Sequence, residues 1–491
     1  MYRKDSITIE EWMKNSNKAL LVTGARQIGK TWLIREEIAK SGYTKFEINF
    51  IDRPDMVDYL NAKMSAEDFL VKLKMIMPED CKPQETIVFF DEIQKCPEIV
   101  TKIKFLVEEG SFKYVMSGSL LGVELKGIAS VPVGYLTVLR MYPMDFEEFM
   151  VANNVSNITL DMLKEKFETC QPVDEFIHQK LLSLFFIYLI VGGMPDAVKT
   201  YIATKDIREV DKVQRDIVAL YKEDFSQYER EDKKLKLISI YDVIPAELNK
   251  QNKKFVFTML DKELKFDRYE NSFLWLKDAG VVLPVYNVEA PVISLKASKS
   301  SNVFRLFSND TGLLTSEYPA ETKIEVFNKN GEVNNGAHFE NAVVQQLTAN
   351  GFEPYFCKKK NIGELDALIE IGGKAVPIEV KSGQSYKVHK ALDNFMKISD
   401  YHIEKAYVFS TANVEQEGAV TYLPIYMCYL LKEQKIGKLI VNLNLDGLYK
   451  RCKIHTHIRL QCSRMSAMFF YEIYNPVCTM QTGYRDVAQF G

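Results

Sequence analysis

The sequence predicts an α/β protein whose first 150 residues wind helices around a parallel sheet, and three observations predict it. Short apolar runs alternate with amphipathic stretches, as a sheet with helical crossovers requires. A glycine-rich loop stands between the first apolar run and a helical pattern. A later apolar run, TIVFF, ends directly in two acids, Asp91 and Glu92.

The strand candidates are Ala19 to Thr23, Lys45 to Asn49, Thr86 to Phe90, Lys113 to Met116 and Tyr135 to Arg140. From about 155 to 260 the pattern turns helical, with runs such as REVDKVQRDIVALYKEDF. RYENSFLWLKDAGVVLPVYNV then reads as a helix, a stop at Gly280 and a β-run, which suggests a winged-helix-like module. From about 335 to 430 helix and strand signals mix again, with ELDALIEIGGKAVPIEVKSG predicted to turn at Gly372 and Gly373. The expected division is therefore 1–150 for the first α/β domain, 151–330 for the helical and winged-helix-like region, 331–432 for a second α/β domain and 433–491 for an irregular tail.

Composition sets outer limits. A chain of 491 residues has room for about three domains, each with its own core. Apolar residues at 47% and charged residues at 26% exclude a disordered or fibrous chain. A net charge of -3 gives no global basic signature, so nucleic-acid binding has to be argued from a local site. MYRKDSITIEEW lacks the apolar core of a secretory signal. The longest apolar run, Leu181 to Val191, is broken by Ser183 and too short to span a bilayer, so a cytoplasmic chain without a membrane partner is expected. The 8 cysteines form no CxxC pair, which points to reduced thiols rather than disulfides or a zinc ribbon. Cys452, His455, His457 and Cys462 collect metal-ligand types, but at a spacing no recognised finger uses, so a tail segment is the reading.

Gly24-Ala25-Arg26-Gln27-Ile28-Gly29-Lys30-Thr31 fits G-x-x-x-x-G-K-[ST] in full, after the strand ALLVT and before the helical run TWLIREEIAK. In such a loop backbone N–H groups wrap phosphates, and the helix N-terminus faces their charge. Lys30 reaches the β- and γ-phosphates of ATP, and Thr31 gives its hydroxyl to Mg²⁺. Asp91 completes the magnesium shell, and Glu92 is placed to polarise the attacking water as general base. A strand lying between the two motifs suggests the additional-strand topology of AAA-like ATPases. Ser117-Gly118-Ser119, delivered by the strand KYVM, reads either as a sensor of the γ-phosphate or lytic water, with Ser117 in that role, or as a plain turn. Spacing selects no arginine finger, although Arg140 and Arg215 are candidates.

GARQIGKT, FFDEIQ, SGS and PVGYLTVLRMYPMDFEEF, joined by VGGMPDAV at 191–198, FLWLKDAGVV and FENAVVQQL, resemble the prokaryotic AAA-type ATPases that carry a C-terminal domain of unknown function. The resemblance covers about 20 to 430. It implies an ATPase domain followed by a domain similar to the restriction-endonuclease-like, PD-(D/E)xK fold. Relatives often carry an arginine where Tyr135 stands here, and the tail after 432 matches nothing in the family. Within the C-terminal unit Asp366, Glu379 and Lys381 reproduce the D…E-x-K order. The i, i+2 spacing puts Glu379 and Lys381 on one face of a strand, where Asp366 can join them from a neighbouring strand. Two carboxylates to hold Mg²⁺ and a lysine to activate water are what phosphodiester hydrolysis needs, and Glu340 adds a further acid. The plainer reading is a surface hairpin with a salt bridge.

Three functions follow as expectations. One is an ATPase that drives a nuclease-like or nucleic-acid-binding module. Another is an ATP-gated, metal-dependent nuclease, and the last is a non-hydrolysing nucleotide switch that binds DNA or protein. AAA relatives form rings, so a homo-oligomer belongs among the expected assemblies.

Overall fold

Period-two burial on both faces is what makes the first five apolar runs a sandwiched sheet. The computed structural model describes residues 1–60, 64–119, 134–228, 231–250, 270–319, 323, 335–433, 442–443 and 467–468. Strands β1 (Ala19–Thr23), β2 (Thr44–Asn49), β3 (Thr86–Asp91), β4 (Lys113–Gly118) and β5 (Leu136–Arg140) pair in parallel in the order β2-β3-β4-β1-β5. β4 is thus inserted between the strand that enters the glycine loop and the strand that ends in Asp91. Leu20, Val22, Phe89 and Val115 face α1 (Asp5–Asn15) and α2 (Lys30–Ser41). Leu21, Val88, Phe90 and Met116 face α3 (Pro54–Leu60), α4 (Ala66–Ile76) and α5 (Glu98–Glu109). Each buried residue of this kind contributes about 1.5–3 kcal/mol relative to exposure.

The predicted helical region follows as α6 (Phe146–Ala152), α7 (Asn157–Thr169), α8 (Glu175–Val191), α9 (Pro195–Thr204), α10 (Ile207–Tyr228) and α11 (Glu231–Leu248). α6 starts on a capping box between Asp145 and Glu148. α8 contains the longest apolar run because it lies at the centre of the helical layer. Asp174 caps it through the N–H groups of Phe176 and Ile177, and Gly192, at φ +71°, ends it. Among the described residues no helix is long and apolar enough to cross a membrane.

The helix, stop and strand read at 268–288 are present as α12 (Glu270–Asp278), Gly280 at φ +76° and β6 (Val282–Val288). They do not make a separate winged-helix-like module. β6 and β7 (Lys299–Ser308) form an antiparallel hairpin at the edge of an eight-stranded sheet, because β8 (Tyr355–Lys359) supplies β6 with a parallel partner at Tyr286 and Asn287. The remaining elements are α13 (Thr311–Ser316), α14 (Gly336–Ala349), β9 (Gly363–Ile371), β10 (Lys374–Val380), α15 (Lys390–Met396), β11 (Ala406–Ser410), β12 (Glu415–Glu417) and β13 (Val420–Pro424). The sheet order is β12-β13-β11-β10-β9-β8-β6-β7, so a boundary at 330/331 cuts through one sheet. Gly372 and Gly373, at φ +56° and +74°, make the two-residue turn between β9 and β10 that only positive φ at both positions allows.

One hydrophobic cluster runs from Leu20 through Phe146, Phe185 and Tyr188 to Phe339 and Tyr429. Met1–Glu433 accordingly forms one compact unit. The second unit, Gln434–Gly491, contains an antiparallel pair of two-residue strands, β14 (Asn442–Leu443) and β15 (Ala467–Met468), within the stretch expected to be irregular. Cys452, His455, His457 and Cys462 lie outside the described residues.

Candidate active site

Backbone conformation builds the glycine loop. Gly24 sits at φ +138° with the Met141 carbonyl so close that a Cβ would overlap it, and Gly29 caps α2 at φ +91°. Lys30 is buried, and its Nζ donates to the carbonyls of Gly24 at 3.0 Å and Ala25 at 2.7 Å. Burial pulls its pKa down to about 8, against the charges of Glu92 and Asp91. An anion in the loop would replace those two carbonyls as the partner of this ammonium.

Asp91 gathers three polar side chains from two strands and a helix. Thr31 Oγ1 donates to its two oxygens at 3.0 and 3.1 Å, Asn49 Nδ2 donates at 3.0 Å, and Ser117 Oγ also donates to it. Burial raises the Asp91 carboxyl above its ordinary range, while hydrogen bonds from Ser117 and Thr31 oppose the shift. Ser117 therefore orients the Asp91 carboxylate in this structure. Asn49 was not singled out from the sequence; it stands opposite Asp91 in the β2–β3 register, a pairing that only the assembled sheet makes.

Glu92 adopts φ +55°, ψ +47°, unusual for a residue with a side chain, and accepts a hydrogen bond from Gln94. That backbone aims Glu92 into a cavity of about 370 Å³ that Lys30, Thr31, Arg26, Met144 and Pro195 also line. The donors facing this space are carboxylate, hydroxyl and amide oxygens, the hard set that suits Mg²⁺ with phosphates and waters completing its shell. Thr31 and Asp91 fit that role.

The loop is embraced from distant parts of the chain. Arg3 is buried and donates to Ile28 O at 2.7 Å, Tyr142 O at 2.7 Å and Glu148 at 3.1 Å. Arg26 pairs with Asp224 of α10, and Tyr221 Oη donates to Arg26 O at 3.1 Å. Gly280 packs against Ala25, whose N would lie 3.2 Å from a Cβ placed there. Nothing local in the sequence marks Arg3, Asp224 or Tyr221 for this site. Arg140 donates to Lys277 O at 2.9 Å and Arg215 pairs with Asp211 at 2.8 Å, so neither candidate finger lines the cavity.

A buried polar ring connects this floor to α14. Met144 N donates to Gly193 O at 2.7 Å, and Gly193 N donates to Asp310 at 2.6 Å. Tyr188 Oη donates to Met144 O at 2.9 Å and accepts from Gln345 and Gln346 at 3.0 Å each. Gln346 in turn accepts Phe146 N at 3.0 Å. α14 also carries Glu340.

The structure brings Glu340, Asp366, Glu379 and Lys381 to one open cleft of about 490 Å³, together with Ser382 and Ser385. Lys381 Nζ lies 2.7 Å from Glu379, and Val380 N donates to Asp366 at 3.0 Å. Arg305, which the sequence reading missed, is fully buried, lies 3.7 Å from Glu340, pairs with Glu364 and donates to Asp366 O at 3.1 Å. Among the described residues no group of three or more His, Cys, Asp or Glu side chains is arranged to hold a metal ion. The second oxygen of Glu379 is buried with no hydrogen-bond partner, which suits either a cation or a proton.

Burial, followed by the charge of Asp366, raises the Glu379 pKa well above the carboxylate range. A raised folded value stabilises the protein fully below the unfolded pKa, and that contribution disappears as pH rises through the folded value. Urea titrations across this window are expected to show wild-type stability falling with pH more steeply than that of Glu379→Gln. Parallel curves would show that Glu379 does not titrate in this way.

A family model described as an AAA domain matches residues 16–150. Two further models, each described as a domain of unknown function, match residues 182–323 (DUF8612) and 335–428 (DUF4143). No curated protein matches the chain. Among solved structures, the Walker-type ATPase PABY2304 of Pyrococcus abyssi is similar at 16% identity and a TM-score of 0.40, with 64% of this chain and 95% of that one covered. AMPPCP-bound DnaA from Aquifex aeolicus gives 12%, 0.29, 52% and 76%. Cdc6p from Pyrobaculum aerophilum gives 14%, 0.23, 66% and 93%. At such TM-scores these likenesses carry no argument. The family model, the strand order and the glycine loop together make residues 16–150 a P-loop domain of the AAA type.

Proposed function

We propose that the AAA-type domain binds ATP with Mg²⁺ and hydrolyses it, and that the nucleotide cycle is transmitted to a C-terminal module that acts on or binds nucleic acid. The observation that carries this reading is the convergence of Lys30, Thr31 and Glu92 on one cavity with Asp91 behind them. The loop N–H groups and Lys30 hold the β- and γ-phosphates, and Glu92 orients a water opposite the leaving group. The water oxygen bonds to the γ-phosphorus, the bond to the bridging oxygen breaks with its electron pair leaving on ADP, and the water proton passes to Glu92. Mg²⁺, held by Thr31 and Asp91, supplies positive charge beside the phosphates. Phosphate release measured with and without DNA tests the reading: turnover that depends on Mg²⁺ supports it, and tight ATP binding without turnover favours a nucleotide switch instead.

A second reading is favoured by the cleft that Glu340, Asp366, Glu379 and Lys381 share. There the C-terminal domain is a PD-(D/E)xK-like nuclease gated by ATP, in which Asp366 and Glu379 hold the metal and Lys381 activates water. Supercoiled plasmid and single-stranded DNA, incubated with Mg²⁺ or Mn²⁺ and with or without ATP, decide it. Intact DNA in every lane removes the cleavage activity and leaves a binding module.

A further inference from the structure

The ATPase reading lacks an arginine to balance charge on the transferring phosphoryl group, and the expected candidates Arg140 and Arg215 point elsewhere. Three other arginines line the nucleotide cavity: Arg3, Arg26 and Arg35. Arg3 is fully occupied by Ile28 O, Tyr142 O and Glu148. Arg35 lies further along α2, exposed, with Nε 2.8 Å from Glu47. Arg26 differs from both. It belongs to the glycine loop itself, its side chain is a quarter exposed, and among the described residues its guanidinium holds Asp224 of α10, with a 3.4 Å contact from Nε to Ser119 Oγ besides.

We propose that Arg26 is the catalytic arginine, supplied in cis by the glycine loop, and that Asp224 holds it aside until a triphosphate draws it onto the γ-phosphate. The proposal rests on the ATPase reading. Tyr221 fixes the Arg26 backbone by donating to its carbonyl, a contact that does not involve the guanidinium. Arg26, Lys30 and Glu92 line the cavity together, while Asp224 stands with Arg26, Ser119 and Tyr221 around a small adjoining pocket. The guanidinium is near enough to Lys30 for its charge to act there, and Glu92 acts electrostatically on Asp224. A planar fork of donors suits two oxygens of a transferring phosphoryl group as the bond to ADP breaks and the water oxygen bonds to phosphorus. Asp224 is nearly buried, so removing its cation leaves an uncompensated carboxylate that α10 relieves by admitting water. Nucleotide occupancy is thereby communicated to the helical layer.

Arg26→Ala is expected to lower kcat at least about 100-fold while ATP affinity, read with a fluorescent analogue, changes less than about fivefold. Arg26→Lys keeps the Asp224 ion pair but loses the fork, so it is expected to fold as wild type and still lose about tenfold in kcat. Asp224→Asn frees the arginine and is expected to lower KM for ATP; an unchanged KM would show that Asp224 does not hold the arginine aside and would overturn the proposal. Mixing Arg26→Ala with Glu92→Gln is expected to restore nothing, because both groups must serve the same site. Activity recovered in that mixture would place the arginine in trans and overturn the proposal, as would wild-type kcat in Arg26→Ala. An inert wild type would instead overturn the ATPase reading, and this proposal with it.

Discussion

Glu92→Gln is expected to bind ATP as tightly as wild type and to lose about 10²–10⁴-fold in kcat, the range a positioned general base supplies. Glutamine keeps the shape of the side chain and its acceptor for Gln94 but cannot take the water proton. Lys30→Ala is its counterpart, expected to lose affinity by roughly 100-fold, because the proposed mechanism gives this buried lysine the β- and γ-phosphates to hold. Equilibrium binding and single-turnover hydrolysis on the two variants separate holding from chemistry. Undiminished turnover in Glu92→Gln would remove Glu92 as the base, and unchanged affinity in Lys30→Ala would remove the loop as the phosphate site. The left-handed backbone at Glu92 supports the first expectation, since such strain persists where the surrounding structure enforces it.

Gly193→Ala is expected to destabilise Met1–Glu433 by about 5 kcal/mol, combining overpacking with the loss of two buried hydrogen bonds. A Cβ at this position would overlap the Met144 carbonyl and lie 2.7 Å from Met144 N, so the two backbones must separate. Separation breaks Met144 N to Gly193 O and strips Asp310 of the Gly193 N–H. Burial raises the Asp310 carboxyl to about 6 against the hydrogen bonds from Gly193, Leu313, Gly312 and Gln345, so losing the Gly193 N–H leaves the buried charge less compensated. Urea unfolding measures the effect, with Gly383→Ala as a control whose new Cβ meets nothing within 4 Å. Equal midpoints for Gly193→Ala and wild type would show that Met144 and Gly193 do not pack as described. Because Met144 and Pro195 line the nucleotide cavity, a partly folded Gly193→Ala is also expected to bind ATP weakly.

The strongest sequence signals were those a short stretch of backbone enforces by itself. The glycine loop, the acids ending β3, the five strands and the Gly372–Gly373 turn each depend on local φ values or on period-two burial, and both leave a pattern within a few residues. Glu379 in β10, Lys381 just beyond it and Asp366 in β9 line one cleft, the grouping expected from their i, i+2 spacing on a strand beside another. The winged-helix-like module was misread because a helix followed by a hairpin looks the same whether its edge is free or, as for β6, paired to β8. Arg3, Asn49, Asp224, Gly280 and Arg305 were unreadable because their roles depend on partners brought close only by the shared core. An arginine against a phosphate loop and an arginine in water have the same sequence. The sequence by itself therefore determined the phosphate loop, the acid pair and the order of elements, since steric limits on a few consecutive dihedrals suffice for those. Tertiary structure alone decided that Asp224 meets Arg26, that Arg305 meets Glu340 and that Gly193 meets Met144, since burial of one continuous apolar core fixes which distant side chains face each other.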